Sequence, residues 1–138
     1  MLTNLLRLGL DKKQKGVLLL NNIILKPKKF SIKGHKIYST PSCEQAQKLL
    51  MHKNFTLTGA VIEIFVPQGK WRGEILEEPG INFARYIRKE YGAEIPIVIY
   101  GPNLNRDKQT ELLNSKVKYV PTEKGFSLFD FINSLWLN

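Results

Sequence analysis

Apolar positions along this chain follow two kinds of spacing. Short continuous runs, rich in β-branched residues and bounded by Gly, Pro, Asn or Thr, occur at residues 17–20, 60–66, 97–100 and 117–120. Runs of this length and composition fit strands buried on both faces. Residues 36–39 make a fifth, more polar run, expected nearer a sheet edge. Between the runs the period lengthens. Residues 42–51 follow Thr40 and Pro41, open on a capping Ser42 and set Ala46, Leu49 and Leu50 on one face, which predicts a helix. Residues 81–91 place Ile81, Ala84, Ile87 and Tyr91 at helical spacing, display Arg85, Arg88 and Lys89 elsewhere, and stop at Gly92. A short polar helix is predicted at 105–113. An amphipathic one, carrying Leu128, Phe129, Ile132, Leu135 and Trp136, is predicted at 126–136. Alternating strands and helices predict a parallel sheet with right-handed crossovers and helices on both faces. Functional groups in such sheets gather beyond the carboxyl ends of the strands. Those ends are Asn21 and Asn22, Glu63, Gly101 and Thr122.

Two stretches break the pattern. In residues 23–35, Pro27, Lys28, Lys29, Ser31, Lys33 and Gly34 interrupt the apolar positions. A regular crossover helix is not expected there, and a poorly formed helix or an extra β-element takes its place. Residues 1–10 offer Leu2, Leu5, Leu6, Leu8 and Leu10, enough for a short amphipathic helix. The organisation expected is an N-terminal extension over 1–15 and one domain over 16–138, in keeping with a length of 138 residues.

Composition narrows the class. With 43% apolar and 24% charged residues the chain is ordinary for a folded domain. Cys43 is the single cysteine, which excludes a disulfide scaffold or a cysteine zinc cluster and fits a reducing compartment, so a cytoplasmic location is expected. The apolar pieces at 2–10 and 17–25 are separated by Asp11, Lys12, Lys13 and Lys15. Neither reaches the roughly 18 apolar residues of a membrane span, and no targeting segment is read.

The net charge of +9 is one-sided: residues 1–53 hold eleven Lys and Arg against Asp11 and Glu44, whereas residues 54–138 hold ten of each sign. Lys26, Lys28, Lys29, Lys33 and Lys36 form the densest patch. Such a patch is either a solvated face or a sequence-independent contact to a phosphate backbone. Only Phe30 and Tyr38 are at hand for base stacking, and no helix-turn-helix or other reader module is present. Nonspecific nucleic-acid binding through residues 12–36 is therefore a second reading of function.

Motifs for catalysis are sparse. His35 and His52 have no carboxylate or Cys at ligand spacing, and there is neither a GxGxxG nor a Gly-Lys-Ser/Thr phosphate loop. No metal, cofactor or enzymatic activity is expected. Cys43 opens a helix, where a lowered thiol pKa competes with a buried structural role. Trp71 and Arg72 lie in a long loop expected above the strand ends, and Trp and Arg are common contact anchors. The alternative is that Trp71 folds onto the domain.

The strings GVLLLNN, AVIEIFVP, GINFARYIRKEYGAEIPIVIYG and VKYVPTEKGFSLFDFINSLW, in this order across about 16–136, resemble the receiver domain of two-component response regulators. The resemblance implies a flavodoxin-like three-layer sandwich with a five-stranded parallel sheet in the order 2-1-3-4-5. It aligns Glu63, four residues before Pro67, with the phosphoacceptor Asp, and treats residues 68–79 as an insertion. It also implies a pseudo-receiver. The acidic pair that would hold Mg²⁺ aligns with Asn21 and Asn22, the switch Ser/Thr with Gly101, and the Lys with Thr122, although Lys124 is close in sequence. Hard cations prefer carboxylate oxygens, and near-attack geometry tolerates little displacement by the longer Glu63. The expectation is a non-catalytic signalling module with protein partners, a second copy of the chain among them. Tyr119, Phe126 and Phe129 would lie on the face matching the family's output surface. Trp71-Arg72-Gly73-Glu74 is also faintly similar to the catalytic-Glu region of TIR-type NAD-cleaving domains, a third reading that lacks supporting motifs.

Overall fold

The computed structural model describes residues 14–22, 31–32, 34–92 and 94–122. The expected helices at 1–10 and 126–136, Lys124, and Lys26, Lys28, Lys29 and Lys33 of the basic patch lie outside the described residues.

The apolar run in β1, Lys15–Leu20, is buried from Gly16 onward because a strand lies on each side of it. It pairs in parallel with β3, His35–Thr40, and with β4, Thr56–Glu63. β4 pairs in parallel with β5, Ile97–Gly101, and β5 with β6, Val117–Pro121. A two-residue strand, β2, Ser31–Ile32, adds to β3 in antiparallel sense and supplies the extra β-element in the irregular stretch. The sheet runs β2-β3-β1-β4-β5-β6, so its five parallel strands follow the order 2-1-3-4-5. This is the flavodoxin-like arrangement expected, and Lys15, assigned to the extension, belongs to the first strand.

Three described helices follow strands. α1, Cys43–Met51, is capped by Ser42, whose Oγ accepts from the Gln45 N–H at 3.2 Å. α2, Pro79–Tyr91, begins two residues before its apolar pattern because Pro79 supplies a helical φ where no N–H is needed. α3, Arg106–Asn114, starts one residue later than expected, since Asn105 is its cap and accepts from the Lys108 N–H at 2.8 Å. Ala46 and Leu50 of α1, Ile81, Ala84 and Ile87 of α2 and Leu112 of α3 share one apolar cluster with Leu18, Leu20, Ala60, Ile62 and Ile99 of the sheet. Val17, Leu19, Val61 and Val98 alternate to the opposite face and are buried as well.

β4 corrects the sequence reading at both ends. It starts at Thr56 and stops at Glu63, whereas the apolar run suggested 60–66. Ile64 and Val66 are fully buried but lie in a turn, where the Val66 N–H reaches the Glu63 carbonyl at 3.4 Å. Burial without a ladder looks like a strand in an apolar pattern. Among the described residues no helix is long and apolar enough to cross a membrane.

Candidate functional site

The parallel register aligns the strand ends. Leu20 stands opposite Ile62, Glu63 opposite Tyr100, and Gly101 opposite Pro121. Asn21, the residue after β1, is 1% exposed, and its Nδ2 donates to the Tyr100 hydroxyl at 2.7 Å. Its backbone N–H is taken by the Thr40 carbonyl at 3.0 Å. The Asn22 N–H donates to Oε1 of Glu63 at 3.2 Å. The Thr122 N–H donates to the Gly101 carbonyl at 2.9 Å. The structure thus gathers Asn21, Asn22, Glu63, Gly101 and Thr122 at one end of the sheet.

Tyr100 is the member that sequence reasoning missed, hidden as one more apolar position of a buried strand. Burial pushes its phenol well above the ordinary range, against the Asn21 hydrogen bond, which lowers it, and with the nearby Glu63 charge, which raises it further. It remains a neutral hydroxyl at physiological pH. The signal available was a phenol placed last but one in an otherwise aliphatic strand.

Receiver-type chemistry requires Mg²⁺ among carboxylates, and the donor set here does not fit it. Glu63 is the one carboxylate of the cluster, half-buried and hydrogen-bonded to a backbone N–H. Asn21 supplies an amide instead of a carboxylate, and its nitrogen bonds the Tyr100 phenol. Among the described residues no three His, Cys, Asp or Glu side chains are grouped to hold a metal ion. At the switch position a Cβ on Gly101 would stand 2.8 Å from Cδ1 of Ile64, so the aliphatic side chain fills the space a hydroxyl-bearing residue would enter. Phe65, next in the chain, is 58% exposed.

The loop that follows Pro67 is anchored to the starts of two helices. The Cys43 and Glu44 N–H groups at the start of α1 donate to the Pro67 and Gln68 carbonyls at 2.9 and 3.0 Å. The Glu44 carboxylate accepts from the Lys70 N–H at 2.7 Å. That bond, with one from the Lys48 side chain, holds the Glu44 pKa below its usual value. Trp71 is 8% exposed and packs edge-on to Phe83 and Tyr86, with ring centroids 5.0 and 5.8 Å away. Of its two readings, the structure takes the one in which it folds onto the domain. Nδ2 of Asn82 donates to the Ile75 and Glu77 carbonyls at 2.8 and 3.3 Å.

Glu77 closes the loop. Its side chain is 3% exposed and meets Nε of Arg85 at 2.6 Å and Nζ of Lys108 at 3.0 Å, while Glu111 bridges the same two cations at 3.2 Å each. Burial alone raises the Glu77 pKa, but hydrogen bonds and charge attraction from Arg85 and Lys108 outweigh it and leave the group below its usual value. Between loop and helices α1 and α2 lies a cleft of about 330 Å³, with Arg72, Glu74, Asn82 and Lys89 in its lining. Glu74, the residue of the TIR-like string, is exposed and paired with Lys89 at 2.9 Å.

The remaining candidates sit apart. Tyr119 is half-buried; its hydroxyl donates to the Pro102 carbonyl at 2.9 Å and accepts from the Leu104 N–H at 3.2 Å, pinning the β5–α3 connection. It also lines a groove between α3 and β6 with Arg106, Leu113, Lys116 and Lys118. Lys36 is exposed on β3, its Nζ 5.2 Å from the Tyr38 ring centre. His35 meets the Thr58 hydroxyl at 2.7 Å. Burial, only partly offset by a backbone hydrogen bond, pushes the Cys43 thiol up to about 12, so the helix start does not activate it.

No protein-family model matches the sequence, and no curated protein matches it. Solved structures do resemble the fold. NtrX from Brucella abortus, in complex with ATP, is 15% identical with a TM-score of 0.59 over 88% of this chain, which spans 26% of that longer one. The chemotaxis protein CheY4 of Vibrio cholerae is 14% identical with a TM-score of 0.59, covering 88% of this chain and 96% of its own. The signal receiver domain of a putative Luxo repressor protein from Vibrio parahaemolyticus is 13% identical with a TM-score of 0.60, covering 90% and 88%. At these identities the likeness is one of architecture, and the described residues have the fold of a response-regulator receiver.

Proposed function

We propose that the chain is a receiver-like signalling module that acts through protein contacts, with no phosphorylation step at Glu63. The observation that carries this reading is the buried Asn21–Tyr100 hydrogen bond beside Glu63, the one carboxylate of the cluster among the described residues. A phosphoryl acceptor of this kind needs a metal to neutralise the transferring oxygens, and a neutral amide–phenol pair offers no charge to bind one. Glu63 carries one methylene more than Asp, which displaces its oxygens from a geometry that tolerates little error. With the chemical step removed, the contact surface is left as the working part. The groove between α3 and β6 supports that role: Arg106, Lys116 and Lys118 line it without an acid, and Leu113 stands 72% exposed beside them. An acidic segment with an apolar anchor is the partner chemistry this surface suits.

A magnesium titration followed by amide NMR tests the reading. In the wild-type chain, millimolar Mg²⁺ is expected to leave the Asn22, Glu63 and Tyr100 amides unshifted. The Asn21→Asp, Asn22→Asp double variant, which restores carboxylates beside Glu63, is expected to show saturable shifts there. Saturable, site-localised shifts in the wild type would overturn the proposal.

A further inference from the structure

The cleft beside the loop shares no lining residue with the strand-end cluster and is built from residues that the proposed function does not use. Its volume of about 330 Å³ falls at the small end of ligand sites, roughly 300–1,000 Å³. One wall is aromatic and held in place: Trp71 is locked edge-on between Phe83 and Tyr86, so its shape exists before any ligand arrives. Three cations line the cleft beside Glu74 and Glu90; Arg85 is held by Glu77 and Glu111, which leaves Arg72 and Lys89 for a ligand. Arg72 is tethered through Nη1 to the Gly69 and Trp71 carbonyls at 2.7 and 2.9 Å, and among the described residues it forms no ion pair with a carboxylate. Lys89 pairs with Glu74 at 2.9 Å, with side chains 64% and 78% exposed, and also feels the Glu90 charge. Exposed pairs of this kind contribute little, so an incoming carboxylate can displace Glu74. The third feature is Asn82, 5% exposed. Both of its hydrogen bonds are made by Nδ2, which leaves Oδ1 as the acceptor on that wall.

From these three features we infer that the cleft binds a small planar heteroaromatic carboxylate. The ring lies against Trp71 and Tyr86, the carboxylate bridges Arg72 and Lys89, and a ring N–H reaches Oδ1 of Asn82. A simple inorganic anion would leave the aromatic wall in water, and a neutral arene would leave both cations unanswered.

Indole-3-carboxylate, titrated into the ¹⁵N-labelled full chain, is the probe. Saturable shifts are expected at Gly73, Glu74, Lys89 and the Asn82 side-chain amide. Affinity should fall about tenfold or more for indole-3-carboxamide, for 1-methylindole-3-carboxylate and for the Arg72→Ala, Lys89→Ala double variant, as loss of a charge-assisted or buried hydrogen bond implies. The dispersion of the variant's own spectrum shows that it is folded. Absence of saturable shifts overturns the inference. So do shifts scattered over the lysine-rich surface that persist in the variant, or equal binding of either analogue.

Discussion

Glu77 shows how a single charged side chain can hold a loop. It is nearly inaccessible, and it joins the inserted segment to α2 through Arg85 and to α3 through Lys108. Replacing it by Gln keeps the shape and removes the charge, which should cost about 2 kcal/mol, the scale of a hydrogen bond to a charged group. The pH dependence has a definite sign. The folded-state pKa of Glu77 is depressed, so its contribution is fully present above the ordinary carboxylate value of roughly 4.3 and is lost as pH falls through the folded value. Urea unfolding at neutral pH and at about pH 3 should therefore show a gap between wild type and Glu77→Gln that closes in acid, and a gap of equal size at both would contradict the assignment. Cys43 makes a second case. Fully buried, with its thiol pushed up to about 12, it should resist iodoacetamide in the folded protein at mildly alkaline pH and react on addition of denaturant. Rapid alkylation of the folded chain would show the burial to be wrong.

At the scale of elements, the contact between β4 and α2 sets where the loop begins. The Gly80 N–H donates to the Ile64 carbonyl at 2.8 Å, and a Cβ there would overlap the Glu63 backbone carbonyl. Gly80→Ala should cost about 1–3 kcal/mol, the usual range for overpacking, and should shift the Glu63 and Ile64 amide resonances. A variant with unchanged melting temperature and unchanged spectrum would disprove the close approach. The strands and three helices were legible in the sequence because apolar runs and helical stripes are local signals, whereas the strand order came from the family resemblance. What was not legible depends on partners distant in the chain. The end of β4 was misplaced because Ile64 and Val66 are buried by a turn instead of a ladder. The anchors of the loop, Glu44, Arg85 and Lys108, were not legible because they lie up to 31 positions away. Tyr100 was overlooked because nothing local marks its hydroxyl as the partner of Asn21, 79 residues earlier.

For the molecule as a whole, a receiver-like architecture carries amide, phenol and aliphatic groups beside Glu63 at its strand ends. An amide stands at Asn21, bonded to a phenol; Ile64 fills the space before Gly101; and among the described residues Glu63 is the one carboxylate, beside a backbone N–H. Asn21, Asn22, Glu63, Gly101 and Thr122, read one by one from the sequence, stand at one end of the sheet, and the structure adds the Asn21–Tyr100 hydrogen bond beside the Glu63 carboxylate. The central claim is the absence of phosphotransfer, and the most direct measurement is intact-mass spectrometry after incubation with acetyl phosphate and Mg²⁺. The account predicts an unmodified chain. A phosphate adduct present in the wild type and missing in Glu63→Gln would contradict it.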